Sequence, residues 1–387
     1  MTQQMTDYNA FTDKYFLRSK QILEAEGLNP FVRAQVFIRK GPGQAYGINE
    51  AVDMLAQRPI AEHGGAVYAL PEGARYDQKD TLMVIEAPIQ DIIDLETVYL
   101  GVITAETTKA NDGNGVDLNQ VTDRAAKVVQ AAGGRPVSYF GARHWRFDQD
   151  PAIAAAAYEG GMMTCSTDAG AAPFGKKGIG TIPHTLENIY ASKDGYENAV
   201  KEATCAFDRN IDPEVPRIAL IDYANREIDD VLATAKALDG RLAGYRIDTC
   251  GENIAQGALA TADRQAMRQL FGRDVKVPQG DQRFWVGTGV TVTGTYAVRQ
   301  AVDQAGYTNL QQVLSSGFAD PAKVEAFVRA EEVLETRLFD MLGAGGLYPA
   351  RTATMDIVAV GADRQHLRPM AKVGRGYRPN KALEQRI

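Results

Sequence analysis

From about Val121 onward the chain repeats one local pattern that few folds can satisfy. A short apolar run of β-type residues ends in Gly, Asp, Arg or His, and a stretch of helical character follows. PVSYFG comes before a helical stretch from Pro151 to Tyr158, and KGIGTIPH before another near Tyr196 to Ala206. RIALID, GYRID, RFWVGTG and FDMLGAG continue the series. Short apolar strands alternating with helices predict a parallel sheet with helices outside it, because parallel strands need crossover connections and are covered on both faces. In a barrel of such units, the groups that do chemistry collect at the C-terminal ends of the strands.

The first hundred residues read differently. From Thr12 to Glu26 the spacing of Tyr15, Phe16, Ile22 and Leu23 predicts an amphipathic helix closed by Gly27. Val32, Ala34, Val36 and Ile38 alternate as in a strand, Gly47 to Leu55 resembles a second helix, and Gly65 to Leu70 and Thr81 to Ala87 two more strands. The last piece, TATMDIVAVGADRQHLRPMAKVGRGYRP, reads as a hairpin with MDIVAV and PMAKV as its strands, returning to the N-terminal part. A length of 387 residues suits two domains. The expected division is an N-terminal α/β domain, 1–120 joined by 352–387, and an α/β barrel, 121–351.

Hydrophobic residues at 45% and charged residues at 24% are the balance of a soluble globular protein. A net charge of −7 argues against a nucleic-acid partner, which needs a clustered excess of Lys and Arg. The N-terminus has neither a basic n-region nor an apolar run, and no stretch reaches the length of a spanning helix, so no membrane is expected and the expected location is the cytoplasm. Cys165, Cys205 and Cys250 have no CxxC spacing, which points to neither a zinc knuckle nor a disulfide framework.

The predicted strand ends carry a polar rim: Arg143 and His144 after SYFG, His184 after GTIP, Asp222 after IALI, and Arg246 and Asp248 in YRID. A planar guanidinium donates two hydrogen bonds at once, so Arg143 and Arg246 suit a carboxylate or phosphate, the alternative being a surface ion pair. Asp222 and Asp248 suit ribose hydroxyls or magnesium, or else cap helices. Two glycine turns, Gly287–Thr288–Gly289 and Gly343–Gly346, can offer backbone N–H groups and a following helix N-terminus to phosphate, or serve as plain turns. Taken alone, His184 in apolar GTIPHTL reads as a core histidine.

GARHWRFDQDPAIAAAAYEGG followed by GTIPHTLEN resembles the nicotinate phosphoribosyltransferase family, in its shorter archaeal-like branch. The likeness extends through TDKYFLRSKQIL, NPFVRAQVFIRK, GVITAETTKA, RIALIDYAN, YRIDT and LGAGGLYPARTATMDIVAVG. It implies a type II phosphoribosyltransferase fold, an irregular (α/β) barrel packed on an N-terminal α/β sandwich, in a head-to-tail dimer with shared sites. It also implies transfer of phosphoribosyl from phosphoribosyl pyrophosphate to nicotinate in NAD salvage, with Mg2+ and with ATP as a co-substrate.

By the same match, Phe140 and a neighbouring chain's Tyr15 stack on the pyridine ring. Arg143 meets phosphate or the pyridine carboxylate, Arg246 the pyridine substituent, and Asp222 and Asp248 the ribose or its magnesium. Gly287, Thr288, Gly289, Gly343, Gly345 and Gly346 hold the 5'-phosphate, Arg39 reaches across the dimer, and ATP phosphorylates His184.

The chain also departs from the family. DTCGEN replaces a DTPSSR-like run and loses an Arg, GTG stands where SGG is common, and Asp168 stands where nicotinamide-using relatives tend to carry an Asp. A carboxylate accepts from an amide and repels a carboxylate. Nicotinamide transfer, a quinolinate-type reaction with decarboxylation, and a catalytically silent ligand-binding relative are the alternatives.

Overall fold

The structure is a computed structural model and describes residues 6–113 and 115–387. It contains two six-stranded sheets. The first uses β1 (Phe31–Ile38), β2 (Ala66–Ala69) and β3 (Thr81–Pro88). The second uses β4 (Val137–Tyr139), β5 (Thr164–Cys165), β6 (Arg217–Leu220), β7 (Leu242–Ile247), β8 (Gln311–Leu314) and β9 (Met341–Ala344). The C-terminal strands β10 (Ala353–Gly361), β11 (Arg368–Pro369) and β12 (Glu384–Gln385) return to the first sheet. Its order is β11-β10-β1-β3-β2-β12, antiparallel throughout.

The second sheet has the order β5-β4-β9-β8-β7-β6 with every pair parallel. Its two ends stay apart, so it forms an open half-barrel rather than a closed barrel. Five helices matter to the site: α1 (Lys14–Ala25), α2 (Glu96–Asp112), α3 (His184–Asp194), α4 (Val292–Gln304) and α5 (Pro321–Leu334).

Each sheet has its own apolar core, and α3 belongs to both. Leu186, Ile189 and Tyr190 pack into the core of the antiparallel sheet, Ala191 into that of the half-barrel. Helix α2 is buried on nearly every side, and its Gly101 is required by contact. A Cβ there would strike the carbonyl of Trp145, so glycine lets the loop carrying Arg143 lie directly on the helix.

Three expected elements differ. KGIGTIPH is not a strand: Gly178 and Gly180 interrupt it, and its hydrogen bonds run crosswise, from Arg18 to the Gly180 carbonyl and from Thr181 Oγ1 to the Ile218 carbonyl at 2.7 Å. RFWVGTG is a short helix, Gln282–Trp285, and a turn, because Gly287 and Gly289 take left-handed φ of 97° and 82°. The sixth parallel strand is QQVL instead. Its Gln312 is buried and hydrogen-bonded to Tyr245, Leu338 and Asp340, which hides the apolar signal of a core strand. PMAKV pairs only as far as Pro369, after which the tail leaves the sheet.

The departing tail is held by Gln35, which is inaccessible to solvent on β1. Its Nε2 donates to the Gly376 carbonyl at 2.7 Å, and its Oε1 accepts from the Arg378 N–H at 2.9 Å. Gln35→Leu leaves both backbone groups unpaired. We expect a loss of about 2 kcal/mol in chemical denaturation and faster proteolysis within 370–380; an unchanged midpoint and cleavage rate would show that the tail does not depend on this clamp.

Candidate active site

The C-terminal strand ends of the half-barrel border the site, and the antiparallel sheet and tail close over it. Two adjoining cavities result. One, about 620 Å³, is polar and is lined by six Lys and Arg side chains: Arg39, Lys79, Arg143, Arg246, Lys372 and Arg375. The other, about 610 Å³, is more apolar, with Phe140, Ile179, Val215, Ile218, Val313 and Met341 in its wall. Tyr15, Arg143, Arg246, Asp248 and Ser316 line both and form the neck between them.

At the inner wall of the polar cavity lies a buried charge cluster. His184, the first residue of α3, meets Asp222 at the end of β6, with Nε2 to Oδ1 at 2.9 Å. Lys372 of the tail pairs with Asp222 Oδ2 and lies 2.9 Å from His184 Nε2. Burial alone would raise the Asp222 carboxyl, but Lys372 and His184 hold it far below the usual carboxylate range. Burial and the Lys372 charge push the His184 imidazolium down, so the ring is neutral. The tautomer whose Nε2–H donates to the Asp222 carboxylate leaves Nδ1 with its lone pair, and the one whose Nε2 accepts from Lys372 carries its proton on Nδ1.

Beside this cluster, Glu187 on α3 is wholly inaccessible, and neither of its oxygens has a hydrogen-bond partner among the described residues. Burial, then the Asp222 charge, raises its carboxyl well above the ordinary value. Glu96, at the start of α2, is pushed up to about 8 by burial, even with Arg143 at 3.7 Å. At neutral pH that contact is a guanidinium beside a carboxyl that keeps its proton. Arg143 Nη1 also donates to Tyr15 Oη at 3.4 Å, and burial, then the Asp13 charge, keeps that phenol protonated. Burial and Arg143 lower His144 to about 4.

Tyr15, Phe140, Arg143, His184, Arg246 and Asp248 therefore meet around one pair of cavities, as does Arg39. Tyr15 and Arg39 line the polar cavity of their own chain. Asp222 adjoins them but is fully buried and engaged, which leaves it no oxygen for ribose or a cation; its place is behind the imidazole. Asp168 lines neither cavity. It pairs with Lys14 at 2.5 Å and accepts from the Gly178 N–H at 2.8 Å.

The glycine turns divide. Gly343, Gly345 and Gly346 line the apolar cavity, but β9 runs on toward β10 through a loop, so no helix N-terminus follows them. Gly287, Thr288 and Gly289 line neither cavity. The N–H of Gly287 already donates to Leu259 and that of Gly289 to Asn253, both at 2.8 Å.

The turn that does face the site is Ser315–Gly317, which the sequence reading passed over. It follows β8, has left-handed φ of 69° at Ser316 and 85° at Gly317, and precedes α5. Ser315 Oγ donates to Asp248 Oδ1 at 2.6 Å. Lys372, Arg375, Lys79, Glu96 and Glu187 were also missed. The only sequence signal for Lys372 was a lysine between apolar Ala371 and Val373 in a segment expected to fold back. Among the described residues, no group of three or more His, Cys, Asp or Glu could hold a metal ion, and no helix is long and apolar enough to cross a membrane.

An open parallel half-barrel whose strand ends are covered by an antiparallel α/β layer is the fold of the type II phosphoribosyltransferases. Residues 13–105 match the family model described as quinolinate phosphoribosyl transferase, N-terminal domain. Nicotinate phosphoribosyltransferase pncB1 of Mycobacterium tuberculosis is 25% identical over 287 residues, which cover 67% of this chain and 59% of that protein. Solved nicotinate phosphoribosyltransferases from Porphyromonas gingivalis and Vibrio cholerae superpose with TM-scores of 0.61 at 13% and 15% identity. They cover 94% and 95% of this chain, and 93% and 88% of theirs. The chain is thus similar to the nicotinate phosphoribosyltransferases, and it spans about three fifths of the length of the curated relatives it matches.

Glu187 gives this site a pH signature. Its folded value lies above its ordinary 4.5, so the unfolded chain releases the proton first and the wild type loses stability as pH rises above 4.5. Glu187→Gln removes that loss. The melting temperature of the variant relative to wild type should be flat below pH 4.5 and rise by about 1–3 °C toward pH 8. A difference independent of pH would mean that Glu187 is ionised in its buried site.

Proposed function

We propose that this protein transfers phosphoribosyl from phosphoribosyl pyrophosphate to nicotinate, giving nicotinate mononucleotide and pyrophosphate in NAD salvage. The observation that carries the reading is the neck: Arg143, Arg246 and Asp248 stand where a cation-rich cavity meets an apolar one. In the reaction the anomeric C–O bond to pyrophosphate breaks as the pyridine nitrogen forms a C–N bond with its own lone pair. No protein base is required. The chain's work is to hold the ring in line with the anomeric carbon and to stabilise charge on the departing pyrophosphate.

In this reading Phe140 and Tyr15 take the faces of the ring, and Arg143 takes its carboxylate. The N–H groups of Ser316 and Gly317 take the 5'-phosphate at the N-terminal end of α5. The cations of the polar cavity take the pyrophosphate, and Asp248 is the carboxylate that would face a magnesium ion bound with it, which would supply further positive charge to the leaving group. The neck favours nicotinate over nicotinamide, because its two guanidiniums match a carboxylate and Asp168 is turned to Lys14 instead. ATP phosphorylates His184 at Nδ1, whose lone pair is left available when Nε2 is held by Asp222. Lys372 stands beside the ring to offset the phosphate charge.

The test is turnover of the purified chain with phosphoribosyl pyrophosphate and either nicotinate or nicotinamide, with and without ATP, the product identified by mass. We expect nicotinate mononucleotide, formed at least tenfold faster than the amide product and accelerated by ATP. His184→Ala should lose the ATP acceleration and any acid-labile label from γ-labelled ATP. No product from either ring would refute the assignment. Product without any ATP effect or label would leave transfer standing and remove the phosphohistidine.

A further inference from the structure

The loop after β7 brings Glu252 to the polar cavity, and three cations converge on its carboxylate. Arg39 and Lys79 both meet Oε1, Lys79 at 3.0 Å, and Arg375 Nη1 lies 3.8 Å from Oε2. The cations come from the antiparallel layer and the tail, the glutamate from the half-barrel. Among the described residues, Glu252 is the only ion-pair partner of Arg39 and of Lys79. Burial would raise its carboxyl, but the Lys79 and Arg39 contacts outweigh this and hold it near 2, so it is ionised at any working pH.

Glu252 sits on a loop outside the strands, with open space beside it. A side chain at Gly251 would meet nothing within 4 Å, and the Glu252 side chain is 27% exposed. Asn253, by contrast, is pinned: its Nδ2 donates to the Val373 carbonyl and its own carbonyl accepts from Gly289, both at 2.8 Å. The loop is anchored one residue beyond Glu252 and open one residue before it.

We propose that Glu252 is an internal counter-anion that occupies the anion site of Arg39, Lys79 and Arg375, and that a phosphate-bearing ligand binds there by displacing it. This rests on the reading of the polar cavity as a phosphate site. Three converging cations repel one another unless an anion lies among them, and one carboxylate neutralises only part of their charge. A ligand carrying two or three negative charges at one end displaces it; a monoanion such as nicotinate gains nothing by the exchange. Glu252 thus sets both the affinity of the cavity for phosphate and its discrimination against the ring substrate.

The experiment is calorimetric titration of the full chain with inorganic pyrophosphate and, separately, with nicotinate, for wild type, Glu252→Gln and Glu252→Ala. Glu252→Gln keeps the side-chain shape, and Glu252→Ala repeats the test without the carboxyl group. Both should bind pyrophosphate about fivefold to tenfold more tightly than wild type, as expected for removing one like charge about 4 Å away under the full screening of bulk water. Adding Lys79→Met to Glu252→Gln should erase that gain. Unchanged or weaker pyrophosphate binding in both single variants, with wild-type binding intact, overturns the counter-anion role and leaves the functional reading standing. Absence of pyrophosphate binding in every variant overturns both.

Discussion

Asp222 is wholly shielded from water at the end of β6, and an ionised carboxylate left unpaired there would cost several kcal/mol. The chain meets that cost with two partners from distant parts of the sequence: His184 from the start of α3 and Lys372 from the C-terminal tail. The half-barrel strand, the helix shared by both cores and the tail that leaves the antiparallel sheet are thereby fixed to one point. Met370 follows from the same demand. Its N–H still donates to Val358 at 3.1 Å, but the tail then turns away so that Val373 bonds Tyr223 at 3.0 Å and Lys372 enters the site.

The charge pattern of the two cavities extends from that point. Six cations around the polar cavity face Glu96, Asp248, Glu252 and Asp356, and Glu96 is protonated at neutral pH, so positive charge is in excess. The apolar cavity carries aromatic and aliphatic walls suited to a flat ring. A reaction that joins a ring to a sugar bearing phosphates at both ends needs these two environments side by side, with charged groups at their junction. Arg143 and Arg246 hold that junction, and Gly101 makes the first possible by letting its loop lie against α2.

Much of this was legible in the sequence, and what was not has physical causes. Strand ends announced themselves through apolar runs closed by polar residues, which located Arg143, Asp222, Arg246 and Asp248, whereas His184 was found through its GTIPH motif although no strand precedes it. β8 escaped because Gln312 is buried with its hydrogen bonds met inside the fold, so a core strand looks polar. Without β8, the turn at Ser315–Gly317 had no strand to end, and GTG at Gly287, read as a strand-to-helix turn and matched to the family's phosphate turn, took its place. Lys372 escaped because a buried lysine is defined by its partners, and Asp222 lies 150 residues earlier. Asp168 was placed by position in a motif, whereas its side-chain direction is set by Lys14.

The central claim is that the two cavities and their neck form one phosphoribosyl transfer site, and the most direct measurement is a crystal structure of the chain with nicotinate mononucleotide bound. The account places the pyridine ring in the apolar cavity against Phe140 and Tyr15, its carboxylate toward Arg143, and the phosphate on the backbone of Ser316 and Gly317. A nucleotide seated elsewhere, or a phosphate held on the Gly287–Gly289 turn with the cavities empty, would contradict it.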